Sequence, residues 1–333
     1  MKHLLKLLDC STEEIIGLLD LADQLKYERK NNIHKDYLKG KKLGMIFQKS
    51  STRTRVSFEV GMYQLGGQAL FLSSNDLQIG RGEPIQDTAR VLSRYLDAIL
   101  IRTFSHQEVE DLAKYADVPV INGLTDDYHP TQVIADLITI QEHKGHLKGI
   151  KFAYVGDGNN MTHSLMIGGA KTGMDVVVAC PDGYMPNPEI VAQAQQYAAE
   201  YGGSVTVLHD PKEAVADADV VYTDTWASMG QEAEKEIRKK AFAGYQVDSA
   251  LMALAKPDAI FMHCLPAFHD LKTKIGKEIY EKYGLTEMEV TDEVFEKYAD
   301  VVFREAENRM HTIKAVMYVT LPRESNERSQ YEQ

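Results

Sequence analysis

The residues best suited to chemistry fall in five short segments of a 333-residue chain. Ser50-Ser51-Thr52-Arg53-Thr54-Arg55 gathers hydroxyls and two guanidiniums where an apolar strand gives way to a helix. A helix start offers unpaired backbone N–H groups and a partial positive charge. Hydroxyls and arginines added there make a phosphate site; a plain Ser/Thr N-cap with surface arginines accounts for the same residues. Arg102, in Ile101-Arg102-Thr103-Phe104, stands at a strand end, as a site cation or a solvated arginine. In His129-Pro130-Thr131-Gln132, Pro130 suits the first turn of the helix that follows. His129 and Gln132 then sit about one turn apart, as two donors for a carbonyl oxygen or as a satisfied turn.

The fourth segment is Gly156-Asp157-Gly158-Asn159-Asn160, after a strand. Its small residues let another group approach the backbone closely. The pattern partly mimics a dinucleotide fingerprint, but Asn160 and Met161 stand where later glycines should fall. Two adjacent asparagines suit an amino-acid headgroup or a tight turn. The fifth is a pair, Asp224-Thr225-Trp226-Ala227-Ser228-Met229-Gly230 and His263-Cys264-Leu265-Pro266, each following a strand. Asp224 suits an ammonium. Cys264 is a nucleophile without an evident base, or a buried structural thiol.

The elements that must position these segments alternate. Ser11 and Glu14 predict a capping box at the start of a first helix. Strands are expected at 43–47, 69–72, 98–102 and 119–122, with a helix over 55–65. A second series follows at 152–155, 175–179, 204–208, 220–223, 259–263 and 301–303. Strands alternating with helices imply parallel sheets covered on both faces. The expected fold is α/β, two doubly wound parallel-sheet domains joined by interdomain helices. The boundary is placed in a helix over about 131–146, and a last helix over about 309–321 carries Ile313, Val316 and Met317. Ligands of such sheets bind outside the carboxyl ends of the strands, where all five segments fall.

Bulk properties narrow the partners. A formal net charge of −12 argues against nucleic acid and anionic membrane, though a few arginines still focus a local positive field. Cys10, Cys180 and Cys264 are too few and too scattered for a disulfide framework or a zinc site, which points to a reducing compartment. No apolar run approaches the roughly 20 residues of a membrane span. Asp9 interrupts the short apolar start, so the N-terminus reads as part of a mature cytoplasmic protein rather than a signal peptide.

Together, Ser51-Thr52-Arg53-Thr54-Arg55, His129-Pro130-Thr131-Gln132 and His263-Cys264-Leu265-Pro266 resemble the carbamoyltransferases, in the right order over nearly the whole chain. Asp224 through Gly230, with its Ser-Met-Gly, is similar to the ornithine branch of that family. The resemblance implies a carbamoyl-phosphate domain at 1–135, with a C-terminal helix 309–322 packing back on it, and an ornithine domain at 150–305. It implies that Ser51, Thr52, Arg53, Thr54, Gln78, Arg102, His129, Gln132, Cys264, Leu265 and Arg309 take carbamoyl phosphate. Asn160, Asp224, Ser228 and Met229 would take ornithine, and Arg102, His129, Asp224 and Cys264 would be the catalytic set. It further implies a homotrimer in which Gln78 reaches a neighbour's site.

The implied reaction needs a held phosphate, a stabilised oxyanion and an uncharged amine. Arg53, Arg102 and the helix start meet the first need; Arg102, His129 and Thr54 meet the second as preorganised donors. An alkyl ammonium with a pKa near ~10 must lose its proton, a task expected of Asp224 with Cys264. Carbamoyl phosphate is already activated, so neither metal nor organic cofactor is expected. The rival readings are the same transfer to putrescine, lysine or aspartate, a dinucleotide-dependent oxidoreductase built on 156–160, and a non-catalytic relative.

Overall fold

The computed structural model describes residues 1–227, 234–273, 276, 277, 280, 281, 284 and 286–322. It divides into two units, Met1–Ala135 with Asn308–Gln333, and Asp136–Glu307.

The first unit is built on β1 (Lys42–Phe47), β2 (Gln68–Ser73), β3 (Ala98–Arg102) and β4 (Val120–Leu124), all parallel in the order β2-β1-β3-β4. Helices α1 (Thr12–Lys30), α2 (Thr52–Gln64), α3 (Ile85–Leu92) and α4 (His106–Tyr115) alternate with them. The central strands read as apolar runs because both their faces are covered: β3 is buried at every position. Edge strand β2 is half exposed. Ile46, Ile99, Ile101, Val109, Leu112 and Val120 form the core between β1, β3, β4 and α4. Ser11 and Glu14 close the expected capping box on α1. The N-terminal segment lies along β4, where Leu4 exchanges backbone bonds with Val120 and Asn122.

The second unit holds β5 (Lys151–Val155), β6 (Asp175–Ala179), β7 (Ser204–Leu208), β8 (Val220–Thr223) and β9 (Ile260–His263). They are parallel, in the order β7-β6-β5-β8-β9. Its helices are α6 (Asn160–Lys171), α7 (Pro188–Tyr201), α8 (Pro211–Val215), α9 (Lys235–Ala241), α10 (Ser249–Met252) and α11 (Asp292–Lys297). The chain passes between units within α5 (Pro130–Lys144) and again within α12 (Ala299–Thr320).

One expected strand is corrected. Val301-Val302-Phe303 lies in α12, which begins ten residues before the predicted start of the last helix. From 301 to 309 the buried positions are Val301, Val302, Glu305, Asn308 and Arg309. That is the three-and-four spacing of a helix face, which outweighs a three-residue β-branched run. The expected strands end at β9.

Each sheet has one topological switch point. In the first it lies between β1 and β3, whose neighbours lead away in opposite directions; in the second, between β5 and β8. The crevice outside the strand ends at such a point is where open α/β sheets bind ligands. The loops that emerge there are Gln48–Ser51 and Thr103 in the first unit, and Gly156–Asn159 and Asp224–Trp226 in the second.

Candidate functional site

In the first unit, β1 delivers the chain into α2, whose N-cap is Ser51. The Ser51 hydroxyl accepts the Thr54 N–H at 3.1 Å, so the plain capping role is present. The capping also sets the helix start, with Thr52, Arg53 and Thr54 in its first turn and no acidic residue among them. Arg102 ends β3 at a register shift and is buried. Pro130 opens α5, which buries His129, Thr131 and Gln132 around its first turn.

Arg309, from α12, joins these pieces. Its guanidinium donates to the Gln132 side-chain carbonyl and to the Thr54 hydroxyl, the latter at 3.1 Å. Burial pushes the His129 imidazole well below its usual pKa, and the positive charges of Arg309, Arg102 and Arg53 push it the same way. His129 is therefore a neutral imidazole, able to donate one N–H without carrying charge. Three guanidiniums repel one another, so gathering them around a neutral ring at a helix start favours an anion. Lys49 was not singled out from sequence; it is buried, pairs with Asp126 and lies 4.3 Å from the Phe104 ring centroid. Gln78 does not join this cluster: it opens a 3-10 turn, Gln78–Arg81, with its side chain exposed.

The second unit presents carboxylates and amides instead. Asp224 follows β8 and is buried. One of its oxygens accepts the Thr225 N–H at 2.7 Å and the Cys264 thiol at 3.3 Å; the other accepts the Asn159 side-chain amide at 3.0 Å. Asn159 also caps α6, accepting the N–H groups of Met161 and Thr162. Asn160 is the first residue of that helix. The resemblance implies that Asn160 takes ornithine; Asn159, not singled out from sequence, touches Asp224, and a polar residue just before a helix start was the available signal. Ser228 and Met229 lie outside the described residues.

Burial, and then the negative charge of Asp224, push the Cys264 thiol well above its usual pKa. Of the two readings of Cys264, this favours the structural thiol over the nucleophile, since a neutral thiol donating to a carboxylate is a weak nucleophile. The loop Cys264-Leu265-Pro266 is held from behind. The Leu265 N–H donates to His263 Nδ1 at 3.0 Å, and His263 Nε2 lies 3.2 Å from Glu289, with His263 and Glu289 fully buried. Leu265 takes a positive φ of 51°.

Gly158 settles the dinucleotide reading. A Cβ on it would fall 2.2 Å from the Pro186 nitrogen and 2.4 Å from the Met185 carbonyl carbon. The group that approaches this loop is the protein's own 184–186 backbone, and Gly158 N–H donates to the Tyr184 carbonyl at 2.8 Å. A buried arginine completes the arrangement: Arg238 on α9 donates to Asp157 at 2.6 Å, to the Trp226 carbonyl at 3.0 Å and to Glu234 at 3.0 Å. It ties the 156–160 loop to the chain just after Asp224.

Among the described residues, two groups of three are compact enough to chelate, with donor atoms within 4.8 Å: Asp224, His263 and Cys264, and His269, Asp270 and Asp292. In the first, the His263 ring nitrogens and the Cys264 thiol are engaged as described above. In the second, His269 bonds Asp292 at 2.6 Å and Asp270 pairs with Lys272 at 2.9 Å.

The fold and the two clusters define a class: a two-unit α/β protein with an anion-seeking cluster on one unit and a cation-seeking cluster on the other. Residues 2–142 match the aspartate/ornithine carbamoyltransferase carbamoyl-P binding domain, and residues 148–320 match the Asp/Orn binding domain of the same family. The chain belongs to the aspartate/ornithine carbamoyltransferase family. It is 56% identical to the ornithine carbamoyltransferase of Caldicellulosiruptor saccharolyticus over 317 residues, covering 95% of this chain and 97% of that one. Among solved structures, ornithine carbamoyltransferase from Pyrococcus furiosus superposes with a TM-score of 0.89 at 54% identity, over 96% of this chain and 97% of that one. The anabolic ornithine carbamoyltransferase from Campylobacter jejuni gives 0.86 at 44%, over 96% and 99%.

Proposed function

We propose that this protein transfers the carbamoyl group of carbamoyl phosphate to the side-chain amine of L-ornithine, releasing L-citrulline and phosphate. The observation that carries the reading is the convergence of Arg53, Arg102 and Arg309 on neutral His129 at the start of α2. That cluster suits a donor that is both phosphate and carbonyl. The relatives named above as ornithine carbamoyltransferases support ornithine over putrescine, lysine or aspartate as acceptor.

In this reading Ser51, Thr52, Arg53 and Thr54 hold the phosphate, while Arg102 bridges phosphate and carbonyl. Arg309 orients Gln132, and His129 and Gln132 hold the carbamoyl group, joined by Cys264 and Leu265. Asn160, Asp224, Ser228 and Met229 receive ornithine. The amine nitrogen attacks the carbonyl carbon, the bond to the phosphate oxygen breaks, and the amine proton leaves. Asp224 is the acceptor, because the Cys264 thiol is already protonated and donates to it. Donors aimed at the developing oxyanion contribute about 10²–10³ each in turnover.

We place the reaction in arginine metabolism and, with three free cysteines, in the cytoplasm. Among the described residues no helix is long and apolar enough to cross a membrane. We propose a homotrimer, supported by an apolar stripe on α2: Val56 is 49% exposed, Val60 38% and Tyr63 81%. A monomer rarely leaves such a stripe uncovered. Gln78, exposed here, would then serve a neighbouring copy. Light scattering should give three times the 37.4 kDa chain mass; a single chain mass refutes the assembly.

The test of function is an assay of the ureido product with carbamoyl phosphate and, separately, ornithine, putrescine, lysine and aspartate. Product with ornithine alone is expected. Product with another amine overturns the acceptor, and none with any of the four overturns the activity.

A further inference from the structure

The acidic pair Asp136 and Glu305 has no part in the reaction as derived above, yet it lies directly behind the amine half of the site. Both side chains are fully or almost fully buried, at 0% and 1% exposure, as is Tyr222. Their carboxyl oxygens converge on one hydroxyl, that of Tyr222. Two carboxylates facing one hydroxyl in a site closed to water repel each other, which favours one proton shared between them. The Tyr222 hydroxyl lies 3.4 Å from Asp136 and 3.3 Å from Glu305, and its single proton serves one of them at a time. The second Glu305 oxygen accepts the His263 backbone N–H at 3.1 Å.

Tyr222 and His263 sit near the ends of neighbouring strands β8 and β9, where Thr223 and His263 are in register. Two residues after Tyr222 comes Asp224, and one after His263 comes Cys264. The acid pair therefore grips both strand ends just before they release the side chains that meet at 3.3 Å.

We propose that Asp136 and Glu305 form a one-proton acid pair that positions Asp224 and Cys264 and places one buried negative charge behind them to receive the substrate ammonium. The proposal rests on assigning this half to the amine. Burial and the Asp136 charge hold the Glu305 carboxyl well above the usual carboxylate range. The groups facing Cys264 are Asp224 after β8, Glu305 from α12 and Asp136 from α5, and all raise its thiol. Asp136 and Glu305 are positioning residues; neither need touch substrate.

The test uses the isosteric amides Asp136→Asn and Glu305→Gln, singly and together, in the full-length protein. Each single amide keeps the pair at one negative charge, because its N–H donates to the remaining carboxylate in place of the shared proton. The double variant keeps the shape and removes the charge. The first readout is the pH dependence of iodoacetamide alkylation at Cys264, with Cys264→Ala as blank. The parent and both single variants should show rates still climbing at about pH 10. The double variant should level off about one pH unit or more lower, the usual effect of deleting a nearby like charge. The second readout is steady-state kinetics. Here the double variant should raise the ornithine KM about tenfold, a nearby-charge effect of the same size, and leave the carbamoyl phosphate KM in place.

A single amide that already produces the full alkylation shift overturns the shared proton. A double variant with the parent's alkylation profile overturns the buried charge, and a shifted profile with the parent's ornithine KM overturns the role in receiving the amine. Alkylation reads the pair whether or not ornithine is the acceptor, so a failure of the assigned activity is seen separately.

Discussion

Replacing Arg238 with Met should damage the second unit far beyond the loss of one surface charge. The Arg238 and Asp157 side chains are 7% and 8% exposed, so water cannot stand in for either partner. The guanidinium bonds Asp157 at 2.6 Å and the Trp226 carbonyl at 3.0 Å, and lies 4.8 Å from the Tyr184 ring centroid. Removing one member of a buried pair leaves an uncompensated charge and costs about 3–5 kcal/mol. For a unit of this size, each kcal/mol lowers Tm by about 2–4 °C, so a fall of about 10 °C is expected. Burial already holds the Asp157 carboxyl above its usual pKa, with Arg238 as the main counterweight. Without Arg238 the cost is that of keeping Asp157 ionised, so the loss should be larger at pH 8 than at pH 5, where the acid can take up a proton. The paired change Arg238→Met with Asp157→Asn leaves no buried charge and should recover most of the loss. Urea unfolding of the parent, both single variants and the double variant gives the coupling directly. Asp157 precedes Asn159 by two residues and Trp226 follows Asp224 by two, so the ornithine KM should rise in the single variant too. A coupling energy under about 1 kcal/mol, the range of exposed pairs, would refute the reasoning.

Three further outcomes are expected. Gly158→Ala should cost about 1–3 kcal/mol and raise the ornithine KM, since its Cβ meets the Pro186 backbone nitrogen at 2.2 Å; urea unfolding at parent values would contradict this. His129 is already neutral, so kcat/KM for carbamoyl phosphate should carry no inflection from it between about pH 6 and 8, and an inflection there that vanishes in His129→Asn would contradict the neutral ring. Burial lowers Lys314 to about 8 from 10.5, and its ammonium donates to two neutral acceptors, the Leu25 carbonyl and the Gln64 amide oxygen. The folded state holds this proton less tightly than the unfolded chain, so the full cost stands below pH 8 and fades as pH rises to 10.5. Lys314→Met should therefore stabilise the protein most at neutral pH, and an advantage that does not shrink between pH 8 and 10.5 refutes the burial account.

Most of the fold was legible because its strands are short apolar runs with clear ends. Strands β1, β3, β8 and β9 are buried at nearly every position, so composition alone marks them. The same logic failed at Val301-Val302-Phe303, where three apolar residues open a helix whose buried face continues through Glu305 and Arg309. A run that short carries too little periodicity to separate strand from helix. On α2 the structure buries the apolar Phe58 and Met62 and leaves Val56, Val60 and Tyr63 exposed. Hydrophobicity shows that a face will be covered; it does not say by what.

The candidate site divides along the same line. Residues whose chemistry is unusual for their place were visible: arginines at a strand end and a helix start, a His-Pro at a turn, a lone Asp after a β-branched strand. Residues that act through these were not. Arg238 sits in Lys235-Glu236-Ile237-Arg238-Lys239-Lys240, indistinguishable by type from a solvated charge run until its 7% exposure is known. Asn159 and Asn160 are adjacent and alike, and only the cap geometry of α6 assigns the contact with Asp224 to the first. Asp136 did leave a trace, an acid inside the apolar run Val133-Ile134-Ala135-Asp136-Leu137-Ile138. A charge at such a position must find a partner or a proton. Glu305 supplies both, and it lies two residues past the stretch 301–303 that reads as a strand. The support around the reacting groups is therefore the part that only tertiary structure reveals, because its members are ordinary residues made unusual by what they are packed against.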